Sequence, residues 1–263
     1  MESRRIESTV SPIRLARIWV NLGVRMQTFR TVPKEDRWDE HRRLVVGQFL
    51  QDRQQYRARV NRLIQTAEAA QVEGMLFPAC ALVHGWGGLK RAGYCFPERG
   101  FLVGGALDIA KRPAREYGLV IQSGSTIGTF TRHEIGRFSQ RDWTILTAIS
   151  STIRRLWRFP AEESKDFGGI GDRQSSRILL LDAGHHPYSD HYRRHTLRKA
   201  VETLSRRHTL SAAAMLSSWQ YLTSTPTPLW CMPPQAARIV ERINIDGDLL
   251  DVVEISFTPI SVG

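Results

Sequence analysis

A helical pattern of apolar residues runs through residues 44–72, between segments that have the pattern of β-strands. Within it, apolar side chains recur at steps of three, four and seven residues, the spacing of one face of an α-helix. Loose alternation over residues 13–26 predicts a strand before it, and the proline-stopped run 74–78 predicts a buried strand after it. A long amphipathic helix between two strands indicates an α/β protein, because its apolar face has to pack on a sheet.

Further strand patterns extend this α/β order to the end of the chain. The most apolar run, Ile178-Leu179-Leu180-Leu181, predicts a strand buried at the centre of a sheet. Another strand and two hairpins are indicated at residues 101–105, 117–130 and 237–257. Hairpins add antiparallel pairing to the parallel pairing of strand–helix units, so we expect mixed sheets. We expect a single domain over residues 1–263, with a polar loop or insertion at residues 27–43.

The charge of the chain is unusual, whereas its composition is not. Hydrophobic residues make up 41% and charged residues 24% of the 263 residues, values that exclude a fully disordered or fibrous chain. The 37 Lys and Arg residues exceed the 26 Asp and Glu residues and leave a net charge of +11. Such an excess favours anionic partners, namely nucleic acid, nucleotides or an acidic protein.

The cysteines and the first residues indicate the cellular compartment of the protein. Cys80, Cys95 and Cys231 lie far apart and form no CxxC pair, so we expect neither a disulfide framework nor a cysteine zinc site. The first apolar stretch is interrupted by Arg14 and Arg17, which argues against a signal peptide or a membrane span. We therefore expect a cytoplasmic protein without membrane association.

Short motifs follow one another in a distinctive order. They are Phe77-Pro78 at the end of a predicted strand, the hairpin segment Thr126 to Ile135, Arg158-Phe159-Pro160, Lys199-Ala200-Val201-Glu202-Thr203, and the closing strand Asp248 to Ile255. In this order they resemble motifs of the nitrilase superfamily of carbon–nitrogen hydrolases, over residues 13–257. The resemblance implies a nitrilase-like α-β-β-α sandwich with mixed sheets. It also implies a homo-oligomer or a larger protein complex, because members of the superfamily usually dimerise.

The same resemblance implies that the catalytic triad of the superfamily is missing. There, a glutamate is the general base, a cysteine is the nucleophile, and a lysine stabilises the developing charge. Ala79 stands at the glutamate position, Arg132 at the lysine position and Arg154 at the cysteine position. A second alignment of the nucleophile places Leu180 there instead. Alanine has no ionisable group and arginine cannot act as a base at ordinary pH, so the family's reaction is not expected.

A displaced nucleophile is the alternative to a lost one. Cys80 directly follows Ala79, and His84 could act as its base if Leu82 and Val83 form a tight turn. The competing interpretation is that Cys80 is a small buried hydrophobic residue at the end of a strand.

Three further groups of residues suggest ligand binding. Asp182, His185, His186 and His191 follow the buried strand at 178–181, where α/β proteins often place their sites, yet their spacing matches no metal motif and a polar loop would also explain them. Arg132 and Arg154 would favour an anion in the vestigial pocket. The run Gly85-Trp86-Gly87-Gly88-Leu89-Lys90-Arg91 combines glycines, an aromatic ring and two cations, which suits a phosphate or a base as well as a plain surface loop.

These observations predict a non-catalytic binding or scaffolding module in a larger assembly, with neither cofactor nor metal. Nitrilase-like domains accompany bacterial reverse transcriptases in antiphage defence, so the resemblance and the basic charge together suggest a place beside nucleic acid. The alternative is a carbon–nitrogen hydrolase of the amidase type that uses relocated residues.

Overall fold

The computed structural model describes residues 11–23, 31–33, 36–131, 134, 136–141, 143–149, 177–182, 212–217, 230–232 and 237–256. Its helices are α1 (Arg37–Gln51), α2 (Arg53–Ala69) and the short α3 (Gly88–Ala92). Its strands are β1 (Ile13–Trp19), β2 (Gly74–Leu76), β3 (Leu82–His84), β4 (Phe101–Asp108), β5 (Arg115–Gln122), β6 (Ser125–Phe130), β7 (Gly136–Gln140), β8 (Trp143–Ala148), β9 (Arg177–Asp182), β10 (Ala212–Ser217), β11 (Trp230–Met232), β12 (Ala237–Ile245) and β13 (Asp248–Ile255).

The described strands form two mixed sheets. The larger has eight strands in the order β12-β13-β1-β2-β4-β5-β6, with β3 also paired to β4. The smaller has the order β11-β10-β9-β8-β7. Parallel pairs join β1, β2 and β4 in the first sheet and β8, β9 and β10 in the second, whereas the hairpins are antiparallel. The predicted α/β class with mixed sheets is therefore confirmed.

The two sheets pack on each other through one hydrophobic core. Buried apolar side chains from both sheets and from α1 and α2 belong to the same cluster. Phe101 of the larger sheet meets Phe138 of the smaller edge to face, with ring centroids 5.1 Å apart. Leu179 and Leu181 are buried in β9, the central strand of the smaller sheet, as their apolar run predicts.

The helical region differs from its prediction in two ways. The helix α1 begins at Arg37, so the polar loop expected over residues 27–43 is wrong for residues 37–43. The charged residues there pair with each other one turn apart, as Arg43 does with Glu40, which suits an exposed helix face. The continuous helix expected over residues 44–72 is divided at Asp52, whose backbone is extended and whose side chain accepts a hydrogen bond from the amide of Gln55. An aspartate in this role caps the start of a new helix.

Buried ion pairs tie β13 to the elements beside it. Arg17 of β1 donates from Nε to Asp251 at 2.9 Å, and both side chains are almost fully buried. Arg242 of β12 donates to the same carboxylate at 2.6 Å. Arg59 of α2 forms an ion pair with Asp248 at the start of β13. These contacts fix the larger sheet and its helix in one arrangement.

Candidate functional site

Residues 77–81 join β2 to β3. Both of these strands pair with β4, and the strand pairing is interrupted along the 77–81 segment. The amide of Phe77 donates to the carbonyl of Val103 at 2.8 Å, and the amide of Gly105 donates to that of Pro78 at 3.3 Å. A Cβ atom at Gly105 would lie only 2.5 Å from the Cα of Ala79, so the close approach of the two backbones requires glycine. The segment Phe77-Pro78-Ala79 is thus held close against β4.

Ala79 and Cys80 are both fully buried in this segment. Cys80 has a φ of +60°, a left-handed conformation that non-glycine residues adopt rarely and at some cost. Burial raises the pKa of its thiol well above the ordinary value. The charge of Glu116 and a side-chain hydrogen bond with it raise this pKa further, while the charge of Arg42 opposes the rise. The thiol therefore keeps its proton, and a protonated buried thiol is a poor nucleophile.

His84 has partners other than Cys80. Residues 82–84 form the strand β3, which pairs in parallel with β4, so Leu82 and Val83 do not form the tight turn that a base at His84 would require. The Nε2 atom of His84 lies 2.7 Å from the hydroxyl of Tyr117, and its Nδ1 atom lies 3.9 Å from a carboxylate oxygen of Asp108. Runs of apolar residues favour a buried strand over a turn. The structure thus gives no support to His84 as a base for Cys80.

Two buried tyrosines donate hydrogen bonds to the backbone just after Cys80. The hydroxyl of Tyr56 donates to the carbonyl of Ala81 at 3.0 Å, and that of Tyr94 donates to the carbonyl of Val83 at 2.7 Å. Burial raises the pKa of both phenols. Both hydroxyls therefore stay protonated and act as donors, which satisfies carbonyls that a buried loop would otherwise leave without partners.

Glu116 and Arg42 are the site residues that the sequence did not indicate. Glu116 lies near the start of β5, one residue before the hairpin predicted at residues 117–130, and Arg42 lies in α1, where a loop was expected. The guanidinium of Arg42 donates to the carbonyl of Ala114 at 3.3 Å, which brings α1 to the start of β5. Strand β5 pairs with β4 in the register that sets Arg115 opposite Asp108, and this register brings Glu116 close to the 77–81 segment. The sequence alone does not show this register.

Several predicted site residues lie outside the described part of the chain. They are Arg132, Arg154, His185, His186 and His191. Asp182 is the last residue of β9, and the structure describes its backbone but not its side chain. The anion pocket and the histidine cluster therefore stay predictions. Leu180 lies within β9, opposite Met215, so a nucleophile elbow at that position is wrong.

Two surface cavities lie away from Cys80 and His84. One, of about 460 Å³, is lined by α1, α2 and the β12–β13 turn, and the other, of about 670 Å³, by the end of α2 and the β7–β8 turn. Among the residues that the structure describes, no three His, Cys, Asp or Glu side chains are grouped to hold a metal ion. None of the described helices has the length and apolar character needed to cross a membrane.

Comparisons with known proteins give structural likeness only. No protein-family profile and no curated protein matches the chain. An amidase from Nesterenkonia sp. has a TM-score of 0.48 and 10% identity, with coverage of 95% of this chain and 93% of that chain. A mutant of the Nesterenkonia AN1 amidase from the nitrilase superfamily has a TM-score of 0.46 and 10% identity, with coverage of 94% and 92%.

A larger enzyme also matches. Glutamine-dependent NAD+ synthetase from Acinetobacter baumannii, in complex with ADP, has a TM-score of 0.44 and 10% identity over 79% of this chain. The chain spans 38% of the length of that synthetase. Identities near 10% with TM-scores below 0.5 do not establish membership of a family.

Proposed function

We propose that this chain is a non-catalytic binding or scaffolding module with a nitrilase-like fold. The observation that carries the proposal is the state of Cys80, whose thiol is fully buried and whose pKa is raised. A catalytic cysteine needs the opposite, a lowered pKa and access to substrate. Ala79 stands where the resemblance places the general base, and its methyl group cannot accept a proton.

The net charge of +11 supports a partner that carries negative charge. We therefore propose that the module works in an assembly that contains nucleic acid, such as a bacterial defence system with a reverse transcriptase. A module that catalyses no reaction would contribute to such an assembly by binding, either as a homo-oligomer or as part of a protein complex.

One observation favours a second candidate, a carbon–nitrogen hydrolase. Cys80, Glu116 and Arg42 bring a thiol, a carboxylate and a guanidinium together, and these groups could serve as nucleophile, base and anion stabiliser. This function requires the segment 77–81 to open, because no substrate atom can reach a thiol with no exposed surface. The raised pKa of Cys80 also disfavours it.

Thiol trapping under native conditions distinguishes the two candidates. The folded protein is pulsed with iodoacetamide, quenched and digested, and the alkylated fraction of each cysteine is measured by mass spectrometry. Cys95 is exposed and serves as the internal reference. We expect Cys80 to react far more slowly than Cys95 in the folded protein and at a similar rate in urea. If Cys80 is instead the fastest thiol of the folded protein, the non-catalytic function is wrong.

A further inference from the structure

Two loops of the larger sheet lie side by side at one end of β3, β4 and β5. The first, residues 85–92, follows β3 and contains α3, and the second, residues 109–114, joins β4 to β5. The amide of Ile109 donates to the carbonyl of His84 at 2.9 Å, which joins the starts of the two loops. Side chains from both loops therefore share one surface.

The first loop exposes an aromatic ring. Trp86 is 87% exposed, whereas Trp19 and Trp143 are 2% and 3% exposed. The next residues, Gly87 and Gly88, have φ values of +95° and +71°, which glycine adopts without strain. The side chain of Arg91 lies against Gly87, where an added Cβ would be 2.4 Å from its Cδ atom. A ring with this exposure leaves most of its apolar surface available for contact with a partner.

Five exposed cations lie on the two loops and at the start of β5. They are Lys90 and Arg91 of α3, Lys111 and Arg112 of the second loop, and Arg115 at the start of β5. Among the described residues, no carboxylate lies within ion-pair distance of any of the five. Some other arginines of the described surface are paired with acids, as Arg43 is with Glu40 and Arg238 with Glu254. The five cations, without such partners, keep their full attraction for an external anion.

The acidic groups near this surface face inward. The carboxylate of Asp108 accepts a hydrogen bond from the amide of Ala110 at 2.9 Å and is 19% exposed. Glu116 interacts with the buried Cys80 thiol. Neither acid extends outward among the five cations, so the exposed side chains of these loops are uniformly positive.

We propose that this surface, consisting of Trp86, Lys90, Arg91, Lys111, Arg112 and Arg115 and called the Trp86 surface below, binds single-stranded nucleic acid. Trp86 stacks on an unpaired base, and the five cations contact successive phosphates. A duplex keeps its bases stacked on one another and offers no free base face to the ring. An acidic protein would use the cations and leave Trp86 without a matching group. The proposal rests on the function of a binding module and assigns its ligand and its contact residues.

Binding of fluorescein-labelled dT12, measured by fluorescence anisotropy between 50 and 200 mM salt, tests the proposal. For five phosphate contacts, the logarithm of affinity should fall against the logarithm of salt with a slope of about −3.5. The variant Trp86→Ala should bind about 5- to 150-fold more weakly, the loss expected for one stacked base. The variant Trp86→Tyr should recover most of the affinity, because tyrosine also stacks.

A pair of double variants separates the Trp86 surface from the overall charge. Lys111→Ala with Arg112→Ala should reduce the size of the salt slope by about 1.4. The control, Arg43→Ala with Arg238→Ala, removes the same charge from ion-paired arginines and should leave the slope nearly unchanged. Equal effects of the two double variants would overturn the proposal, as would tighter binding of polyglutamate than of dT12.

Two readouts keep this proposal separate from the proposed function. No binding of dT12 by a folded protein that also lacks hydrolase activity overturns the Trp86 surface and leaves the non-catalytic function standing. Cys80-dependent hydrolysis overturns the non-catalytic function, and the dT12 measurements with the Trp86 variants then decide the surface on their own.

Discussion

Glu116 of β5 lies close enough to Cys80, on the segment between β2 and β3, for the charge of its carboxylate to raise the pKa of the buried thiol. In a nucleophile–base pair the carboxylate removes the thiol proton. Here burial and the negative charge of Glu116 raise the pKa of Cys80 and keep the proton on sulfur. The same two groups that could form a catalytic pair are thus arranged to hold a neutral thiol.

This relationship predicts how stability depends on pH. The pKa of Cys80 is higher in the folded than in the unfolded protein, so its contribution is fully present below the unfolded pKa and is lost as pH rises toward the folded value. An unfolded thiol with a pKa of about 8.5 would lower the free energy of unfolding by about 1.4 kcal/mol at pH 9.5. Urea unfolding at pH 7.5 and 9.5 measures this change.

Two alanine variants identify the group responsible. Cys80→Ala should show a smaller fall in the free energy of unfolding between these pH values, because the titrating thiol is gone. Cys95→Ala removes an exposed thiol and should retain the full decrease. An identical decrease in wild type and Cys80→Ala would contradict the burial of a neutral thiol at this position.

The ion pair of Arg17 and Asp251 predicts a large loss of stability. Asp251→Asn leaves the guanidinium of Arg17 buried without a charged partner, which should cost about 3–5 kcal/mol. Arg242→Ala removes the partly exposed partner of the same carboxylate and should cost about 1 kcal/mol or less. Urea unfolding of both variants checks the difference. Equal losses would mean that Arg17 is not buried as described.

Two glycines should respond to alanine in opposite directions. Gly105→Ala would place its Cβ atom 2.5 Å from the backbone of Ala79, so we expect a loss of about 1–3 kcal/mol from overpacking. Gly47 lies within α1 with no atom near its would-be Cβ, and Gly47→Ala should stabilise the protein by about 0.5–1 kcal/mol. Thermal unfolding of the two variants measures both effects. A stable Gly105→Ala protein would show that the 77–81 segment is not held against β4.

Much of the fold could be predicted from the sequence, because its strands are strongly apolar. The run at residues 178–181 predicts the central strand β9, and the hairpin pattern at residues 237–257 predicts β12 and β13. Short-range signals of this kind come from side chains close together in the chain. The division of the long helix at Asp52 is also local, but the helical periodicity on both sides concealed it.

The site could be predicted only in part. Phe77-Pro78 marked the segment, and Ala79 and Cys80 were identified within it. Glu116 cannot be predicted because its position depends on the pairing of β4 with β5, and Arg42 cannot because the charged stretch around it has the composition of a loop. The short sequence distance between His84 and Cys80 leaves a base at His84 open as an alternative, whereas β3 directs this side chain to Tyr117. Long-range strand pairing, which a single sequence does not contain, decides the contacts of Glu116 and His84.

Turnover by the wild-type protein tests the non-catalytic function most directly. Ammonia release from a panel of amides, nitriles and carbamoyl compounds is measured for wild type, Cys80→Ala and Glu116→Gln. Losing a nucleophile–base unit costs roughly 10⁴- to 10⁶-fold in rate, so all three proteins should give the same background. Wild-type turnover that Cys80→Ala abolishes would contradict the non-catalytic function and identify the protein as a hydrolase. Turnover that survives in Cys80→Ala would contradict it too, and would direct attention to the histidines at residues 185–191.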